Sequence, residues 1–245
     1  MRRNAPARQP ATGEPLSSRT DSSDSSLNRA EQSSATVLVK GWAGALWVAA
    51  PLWYVLCEAV AAAGFPGYNY ATFFISDLGV PEPGQFDGRL LTSQISSVMN
   101  AGFIGAGLLF FLGTVAVASQ LDRGAAKTSW LFAAVLHAVG IVFVGLVPGS
   151  QTNWDNGLMV VHVVGAIALI AGGNVAAILS GRALRPLGLP RWVLRSGQIL
   201  GALGFVSALL LIGTLLVPAG VSERGAVYSF FAWQLLAGIG MLRAR

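Results

Sequence analysis

The side chains best suited to chemistry stand at the ends of the chain's apolar segments. Ser76, Asp77 and Arg89 lie in the longest polar interruption, residues 65–91, and His162 lies where a later apolar segment begins. A hydroxyl, a carboxylate and an imidazole that meet in space can bind a polar group or cleave it. No histidine stands near Ser76 in sequence, and no nucleophile elbow, HExxH motif or phosphate loop occurs. These residues therefore leave both a binding role and catalysis open.

The composition shows what kind of chain must position these side chains. Hydrophobic residues make up 53% of the chain and charged residues 11%, whereas soluble domains carry about 25% charged residues. This composition is typical of a polytopic membrane protein. One cysteine and two histidines exclude an intramolecular disulfide and a cysteine cage, so we expect no metal site and no cofactor.

The net charge of +5 is distributed in a way that does not suggest nucleic-acid binding. Basic residues lie in the N-terminal tail and in short connections between apolar segments, as they do in membrane proteins. Residues 1–36 contain almost no large apolar side chain, so we predict a disordered cytoplasmic tail that could bind a partner. Residues 37–245 are predicted to form the transmembrane domain.

Six apolar segments in this domain reach the length of about 20 residues that a bilayer core requires. Each must be helical, because lipid offers the backbone no hydrogen-bond partner. The sequence therefore predicts an all-α bundle of six transmembrane helices. The predicted spans are residues 37–64, 90–119, 128–147, 157–179, 193–217 and 226–242.

Basic residues alternate between the two sets of connections and predict the orientation. Connections after the second and fourth spans are rich in Lys and Arg, whereas the other set contains only Arg89 and Arg224. The positive-inside rule then places both termini in the cytoplasm of a multi-pass protein of the cell membrane.

The three outer connections share a pattern in which an acidic residue shortly precedes a glycine and a returning helix. These acids are Asp87, Asp155 and Glu223, and we expect them to cap the helix N-termini. If these helix ends converge, they form a positively polarised mouth. With Arg89 and Arg224 beside it, such a mouth would suit an anionic lipid headgroup.

Several polar residues lie within the predicted spans. Glu58 is costly there, so it either marks a functional contact or extends to the outer surface. His162 is close enough to the outer end to reach the mouth. We expect interhelical hydrogen bonds from the remaining polar side chains, which are His137, Asn100, Asn174, Gln198 and Gln234.

Three sequence elements together resemble a known family: FISDLG at residues 74–79, LVP at residues 146–148 before the helix with His162, and SERG at residues 222–225. Over residues 37–242 the chain resembles the bacterial and archaeal six-helix membrane family called domain of unknown function 998. More distantly it resembles the DRAM and Frag membrane proteins, which are associated with lipid and membrane-trafficking roles. The resemblance implies a six-helix fold and supports the choice of Ser76, Asp77, His162, Glu223 and Arg224 as a site, but it implies no reaction.

Three functional hypotheses follow. The first is an outward-facing mouth that binds a membrane lipid headgroup or another amphiphile, and a homo-oligomer is compatible with it. Its expected residues are Glu58, Ser76, Asp77, Asp87, Arg89, Asp155, His162, Glu223 and Arg224. The second is an intramembrane lipid hydrolase or transferase with His162 as base and Ser76, or a water molecule, as nucleophile. The third is a small transporter with a polar path from Glu58 through His137 towards Asn174 or Gln198.

Overall fold

The computed structural model of the protein describes residues 17–213 and 216–243, with side chains from Ser34 onward. The chain divides into two units, residues 1–38 and residues 39–245. The first unit contains the beginning of helix α1 (Ser17–Ala63). The second contains the rest of α1, two short strands and six further α-helices: α2 (Ser96–Ser119), α3 (Ala125–Leu146), α4 (Gln151–Asp155), α5 (Met159–Ala183), α6 (Arg191–Gly213) and α7 (Ala219–Arg243).

Six of these helices are long and apolar enough to cross a membrane, which confirms the predicted fold class among the described residues. The spanning part of α1 is Ser34–Ala63, and the others are α2, α3, α5, α6 and α7. Helix α1 also runs back through residues 17–36, which are part of the tail predicted to be disordered. Residues 1–16 lie outside the described residues, and the division of the chain at residue 36 stays a prediction.

Helices that follow each other in the chain pack side by side. Contacts join α2 to α3, α3 to α5, α5 to α6 and α6 to α7, and α5 also touches α7. Helix α1 packs against both α7 and α2. A Cβ on Gly44 of α1 would lie 2.8 Å from the Gly238 carbonyl of α7, and a Cβ on Gly113 of α2 would lie 2.4 Å from the ring of Trp47 in α1. Small residues thus permit close helix approach, as the many glycines predict.

Polar side chains inside the bundle mostly join helices. His137 Nδ1 lies 2.7 Å from the Leu169 carbonyl, which joins α3 to α5. Asn174 donates to the Ala226 carbonyl of α7, and Gln234 donates to the Trp47 carbonyl of α1, both at 3.0 Å. These three predictions are confirmed. Asn100 instead donates to a loop carbonyl, that of Gly79, and Gln198 makes no hydrogen bond among the described residues, so the prediction is wrong for both.

The long connection after α1 folds into a compact unit that ends in a hairpin. A 3₁₀ turn covers Ser76–Gly79, and strands β1 (Gly84–Phe86) and β2 (Arg89–Leu91) pair antiparallel. Asp87 and Gly88 have φ values of 46° and 75°, as a tight hairpin turn of the primed type requires. The predicted start of the second span at residue 90 is therefore wrong, because residues 89–91 form a strand and the helix begins at Ser96.

The predicted capping role of the three acidic residues is also wrong. Asp87 occupies the hairpin turn, and Asp155 ends the short helix α4, where it accepts a hydrogen bond from Gln151. Glu223 lies inside α7, which begins at Ala219 and not at residue 226 as predicted. The last helix extends further because its charged residues are neutralised or hydrogen-bonded by the rest of the protein, so they need no solvent.

Candidate functional site

The connection after α1 is fastened to the first turns of α7. The backbone N–H of Val221 donates to the Ala71 carbonyl at 3.2 Å, which satisfies one of the free donors at the helix start. Gly220 allows this approach, because a Cβ there would lie between 2.4 and 2.8 Å from three carbonyl oxygens of the connection. The loop and the last helix therefore form one surface.

A buried ion pair between Arg224 and Glu58 joins α7 to α1. Arg224 Nη2 lies 3.0 Å from Glu58 Oε1, and Nε donates to the same oxygen at 3.1 Å. The Tyr228 hydroxyl donates to the other oxygen of Glu58. Glu58 is 1% exposed, so the alternative in which its carboxylate extends to the surface is wrong. An acid inside an apolar segment is tolerated here because a cation neutralises its charge and a hydroxyl donates a hydrogen bond to its second oxygen.

The same guanidinium holds the connection after α1. Arg224 Nη1 donates at 3.1 Å or less to three backbone carbonyls, those of Tyr70, Phe73 and Gly220. Its Nη2 also donates to the hydroxyl of Tyr68, which in turn donates to the Phe74 carbonyl. Burial raises the pKa of Tyr68, so this phenol stays protonated and keeps its role as a donor. Every nitrogen of the Arg224 side chain therefore has a partner within the protein.

A second ion pair fixes the hairpin to the 3₁₀ turn. Arg89 Nε donates to Asp77 Oδ2 at 2.9 Å, and Arg89 Nη1 donates to Asp87 Oδ2 at 3.0 Å. Asp77 also accepts the backbone N–H of Phe74 at 2.9 Å, and the Arg89 guanidinium lies 4.4 Å from the centre of the Phe74 ring. Burial raises the pKa of Asp77, and Arg89 offsets part of that rise.

Glu223 connects α7 to the 3₁₀ turn. One oxygen, Oε2, accepts the backbone N–H of Ile75 at 2.5 Å, next to Ser76 and Asp77 in the chain. The other oxygen has no hydrogen-bond partner among the described residues. Glu223 thus positions the turn with one oxygen and leaves a second acceptor available.

Asp77, Arg89 and Glu223 line one side of a pocket of about 780 Å³. Its volume falls within the range of roughly 300–1,000 Å³ that small-molecule sites occupy. The polar lining comes from the connection after α1, from the α3–α5 connection, and from the beginnings of α5 and α7. Its main members are Ser76, Asp77, Arg89, Gln151, His162 and Glu223.

His162 presents an unused ring nitrogen to this pocket. The side chain is 6% exposed, and its Nδ1 lies 2.7 Å from the Val147 carbonyl. Since a carbonyl only accepts, Nδ1 carries the proton and Nε2 of the neutral ring is an acceptor. Nε2 has no hydrogen-bond partner within the described part of the chain, and neither has the Ser76 hydroxyl, which lines the same pocket.

The rest of the pocket is an apolar groove between α5 and α6. The two helices touch at Gly201, where a Cβ would lie 2.6 Å from the Asn174 carbonyl. Nearer to the polar lining, both helices contribute side chains to the wall of the pocket. The groove side chains are Val163, Ile167, Ile170, Phe205, Leu209 and Ile212. Ile167, Leu209 and Ile212 are 62%, 68% and 79% exposed, so the groove opens sideways, towards the lipid around a spanning bundle.

The structure brings six of the nine residues predicted for the site to the pocket lining: Ser76, Asp77, Asp87, Arg89, His162 and Glu223. Glu58 and Arg224 are paired with each other and hold the loop that carries Ser76 and Asp77. Asp155 is exposed and bonded to Gln151. Within the described residues, no group of three His, Cys, Asp or Glu side chains is arranged to hold a metal ion.

Sequence reasoning missed Tyr68, Tyr228 and the groove between α5 and α6. Tyr228 follows Arg224 by four positions, and this spacing places both on one face of a helix. Once Arg224 is assigned to a helix, that spacing could have identified the hydroxyl partner. The groove had no comparable signal, because its side chains are apolar and do not differ in type from the lipid-facing residues of the same helices.

The fold and the pocket define a polytopic membrane protein with six spanning helices and a side pocket that is polar at one end. The sequence model of one family matches residues 48–240, which is most of the chain. The chain belongs to this family, described as proteins of unknown function (DUF998). Neither the curated proteins nor the solved structures include a match to the chain. The resemblance to the DRAM and Frag proteins stays a prediction.

Proposed function

We propose that the pocket binds a membrane amphiphile, with its headgroup at the polar lining and its chain in the groove between α5 and α6. The observation that carries this proposal is the division of one pocket into a polar end and an apolar end that opens sideways. A polar soluble ligand would not bury the exposed apolar side chains of the groove, whereas the acyl chain of a lipid would, and a lipid could enter directly from the bilayer.

The charge distribution supports an outward orientation of the polar end. Lys40 donates to the Leu187 carbonyl in the α5–α6 connection, so basic residues of α1 and of that connection lie at one end of the bundle. The pocket's polar lining belongs to the other set of connections. By the positive-inside rule, this lining faces outside and both termini face the cytoplasm.

A groove-filling substitution tests amphiphile binding. Ala208 lines the groove on α6, whereas Ala202 is exposed on the same helix and is not part of the lining. Native mass spectrometry of the protein extracted with its lipid should show retained lipid in the wild type and in Ala202→Phe. Ala208→Phe should lose roughly tenfold of that lipid, because overfilling a packed site costs about 1–3 kcal/mol. Equal lipid retention in the two variants would overturn the proposal.

Hydrolysis or transfer on a lipid is a second candidate, favoured by the presence of Ser76 and His162 in one pocket. His162 has the tautomer that a base requires, with Nε2 free to accept a proton. The two side chains are not hydrogen-bonded to each other in the structure. A fluorophosphonate probe should label Ser76 if that serine is activated, and Ser76→Ala and His162→Ala should abolish labelling. Equal labelling of the wild type and Ser76→Ala would count against this candidate.

The transporter hypothesis has less support. Glu58 is paired with Arg224 and Tyr228, and His137 lies 4.0 Å from the Phe230 ring in the aromatic core. Asn174 donates to two backbone carbonyls. Residues predicted to form a polar path are thus engaged in packing and in interhelical hydrogen bonds.

A further inference from the structure

The hydrogen-bonding groups that remain free in the pocket indicate what kind of headgroup fits. This inference rests on the proposed amphiphile binding and concerns only the chemistry of the polar end. We propose that the pocket selects an amphiphile whose headgroup carries a primary ammonium group, held by Glu223, His162 and Ser76.

The guanidinium groups in and beside the pocket already have hydrogen-bond partners within the protein. Arg89 directs all three of its side-chain nitrogens at carboxylate oxygens of Asp77 and Asp87. Arg224 likewise has all three nitrogens bonded to groups of the protein. An anionic headgroup, which the sequence suggested, would have to displace a carboxylate from a guanidinium to find a cation here.

Several acceptors in the pocket lining have no hydrogen-bond partner within the described residues. Glu223 Oε1, His162 Nε2 and the Ser76 hydroxyl have no hydrogen-bond partner among the described residues. The first two can only accept hydrogen bonds in these states, and the hydroxyl can also accept. The His162 side chain is 6% exposed, so a ligand that displaces water from the pocket has to supply a donor to its Nε2. An occupant that donates hydrogen bonds is therefore favoured.

The charged side chains of the pocket lining are mostly negative. Asp77, Asp87 and Glu223 line the pocket, and Arg89 is the one basic side chain facing them from the described lining. Carboxylates outnumber cations, so a positive group is electrostatically favoured over a negative one. A primary ammonium combines positive charge with three N–H donors, which can serve acceptors such as Glu223 Oε1, His162 Nε2 and the Ser76 hydroxyl.

Lipid competition separates these requirements. The full-length protein is incorporated into nanodiscs with equal amounts of phosphatidylethanolamine, phosphatidylcholine and phosphatidylglycerol of identical acyl chains. Lipid that stays bound is then quantified by native mass spectrometry. The ethanolamine and choline headgroups share their charges, but only the ethanolamine group has N–H donors. We expect phosphatidylethanolamine to be retained roughly tenfold over both others, since hydrogen bonds to charged groups are among the stronger ones.

Variants assign the preference to the pocket. Glu223→Gln keeps an acceptor for Ile75 and removes the charge, and it should bring phosphatidylethanolamine and phosphatidylcholine close to parity. Ser76→Ala should reduce the preference without affecting the ion pairs. Glu82→Gln is the matched control, because Glu82 is exposed and lies outside the lining, and it should behave as the wild type.

The outcomes distinguish this inference from the proposed function. Preference for phosphatidylglycerol, or equal retention of the ethanolamine and choline lipids, would overturn the ammonium proposal and leave lipid binding intact. A preference that persists in Glu223→Gln and in Ser76→Ala would also overturn it. Loss of selectivity together with equal lipid retention in Ala208→Phe and Ala202→Phe would overturn the proposed function itself.

Discussion

Arg224 makes hydrogen bonds on every side, to a carboxylate, to a phenol and to backbone carbonyls of a loop distant in sequence. This pattern assigns it to the construction of the site and not to contact with a ligand. A planar guanidinium is suited to this task because its donors point in fixed directions that a lysine cannot reproduce. Ser76, His162 and Glu223 line the pocket, and each keeps a polar atom without a hydrogen-bond partner among the described residues.

Substitution of Arg224 should destabilise the protein strongly. Arg224→Gln leaves the Glu58 carboxylate buried without a cation, and breaking a buried pair in this way costs about 3–5 kcal/mol. Arg224→Lys should be more stable than Arg224→Gln but less stable than the wild type, because lysine keeps the charge but lacks the N–H donors that a guanidinium holds in fixed directions. Chemical unfolding in mixed detergent micelles measures both effects.

The control for this prediction is Arg191→Gln. Arg191 is exposed at the start of α6, so its loss should change the free energy of unfolding by no more than about 0.5 kcal/mol. If Arg224→Gln and Arg191→Gln unfold at the same denaturant concentration, the guanidinium does not hold the loop.

For single residues, the sequence predicts several side chains that the structure places at one pocket, but it does not predict the partners of Arg224. Ser76, Asp77 and His162 were selected because of their residue types, and the structure brings all three to one pocket. Arg224 was expected to face an outer anion, because a sequence does not show which groups of a folded loop will reach a guanidinium. Its true partners are mainly backbone carbonyls, and these carry no signature in residue types.

Among the elements, the connection after α1 matters most for the site. It is held on α7 by Gly220, Arg224 and Glu223, and within itself by the Asp77–Arg89 pair. Two separate attachments place Ser76 opposite the start of α5, and the pocket exists because the loop is held there. A loop attached so firmly is preorganised, which lowers the conformational entropy lost on binding.

A side chain at Gly220 should release this loop. Gly220→Val places atoms within 2.8 Å of the carbonyl oxygens of Tyr70, Ala71 and Phe73, which forces the loop away from α7. Hydrogen exchange of residues 68–80 should therefore speed up, and lipid retention should fall. Gly213→Val is the matched control, since nothing lies within 4 Å of a Cβ at that position. Unchanged exchange in Gly220→Val would show that the loop does not depend on this contact.

Sequence predicted the helices well and the hairpin not at all. Helices α3 and α5 begin within three residues of their predicted starts, because long apolar runs leave no alternative in a membrane. The Asp87–Gly88 pair is a hairpin signal, but the leucines that follow it extended the apparent span of α2. Likewise, α7 begins earlier than predicted because charges that look like loop residues are paired inside the protein.

In the molecule as a whole, α6 differs from the other spanning helices. Only 17% of its most apolar window is buried, against 39% to 56% for the other five. It packs on α5 over part of its length and on α7, so one side of the groove is a helix that mostly faces lipid. This difference cannot be predicted from composition, because a lipid-facing helix and a buried helix are equally apolar.

The proposed orientation is testable with single cysteines. Cys57 is the protein's one cysteine and is 4% exposed, so Cys57→Ala provides a background without it. In that background, Glu82→Cys should react with a membrane-impermeant maleimide added to intact cells. Asp122→Cys, in the connection between α2 and α3, should react only after permeabilisation, since that connection is predicted to be cytoplasmic. The reverse pattern would place the pocket's polar end on the cytoplasmic side.

The pair between Glu58 and Arg224 joins residues 166 positions apart, and this distance has a consequence for synthesis at the ribosome. Glu58 enters the membrane with the first span, and its cation arrives only with the last. Until then its carboxylate lacks its native partner in an apolar environment, and the loop that carries Ser76 and Asp77 is not yet attached. A chain that ends before α7 should therefore be recognised as incomplete and degraded, so the last helix completes both the bundle and the site.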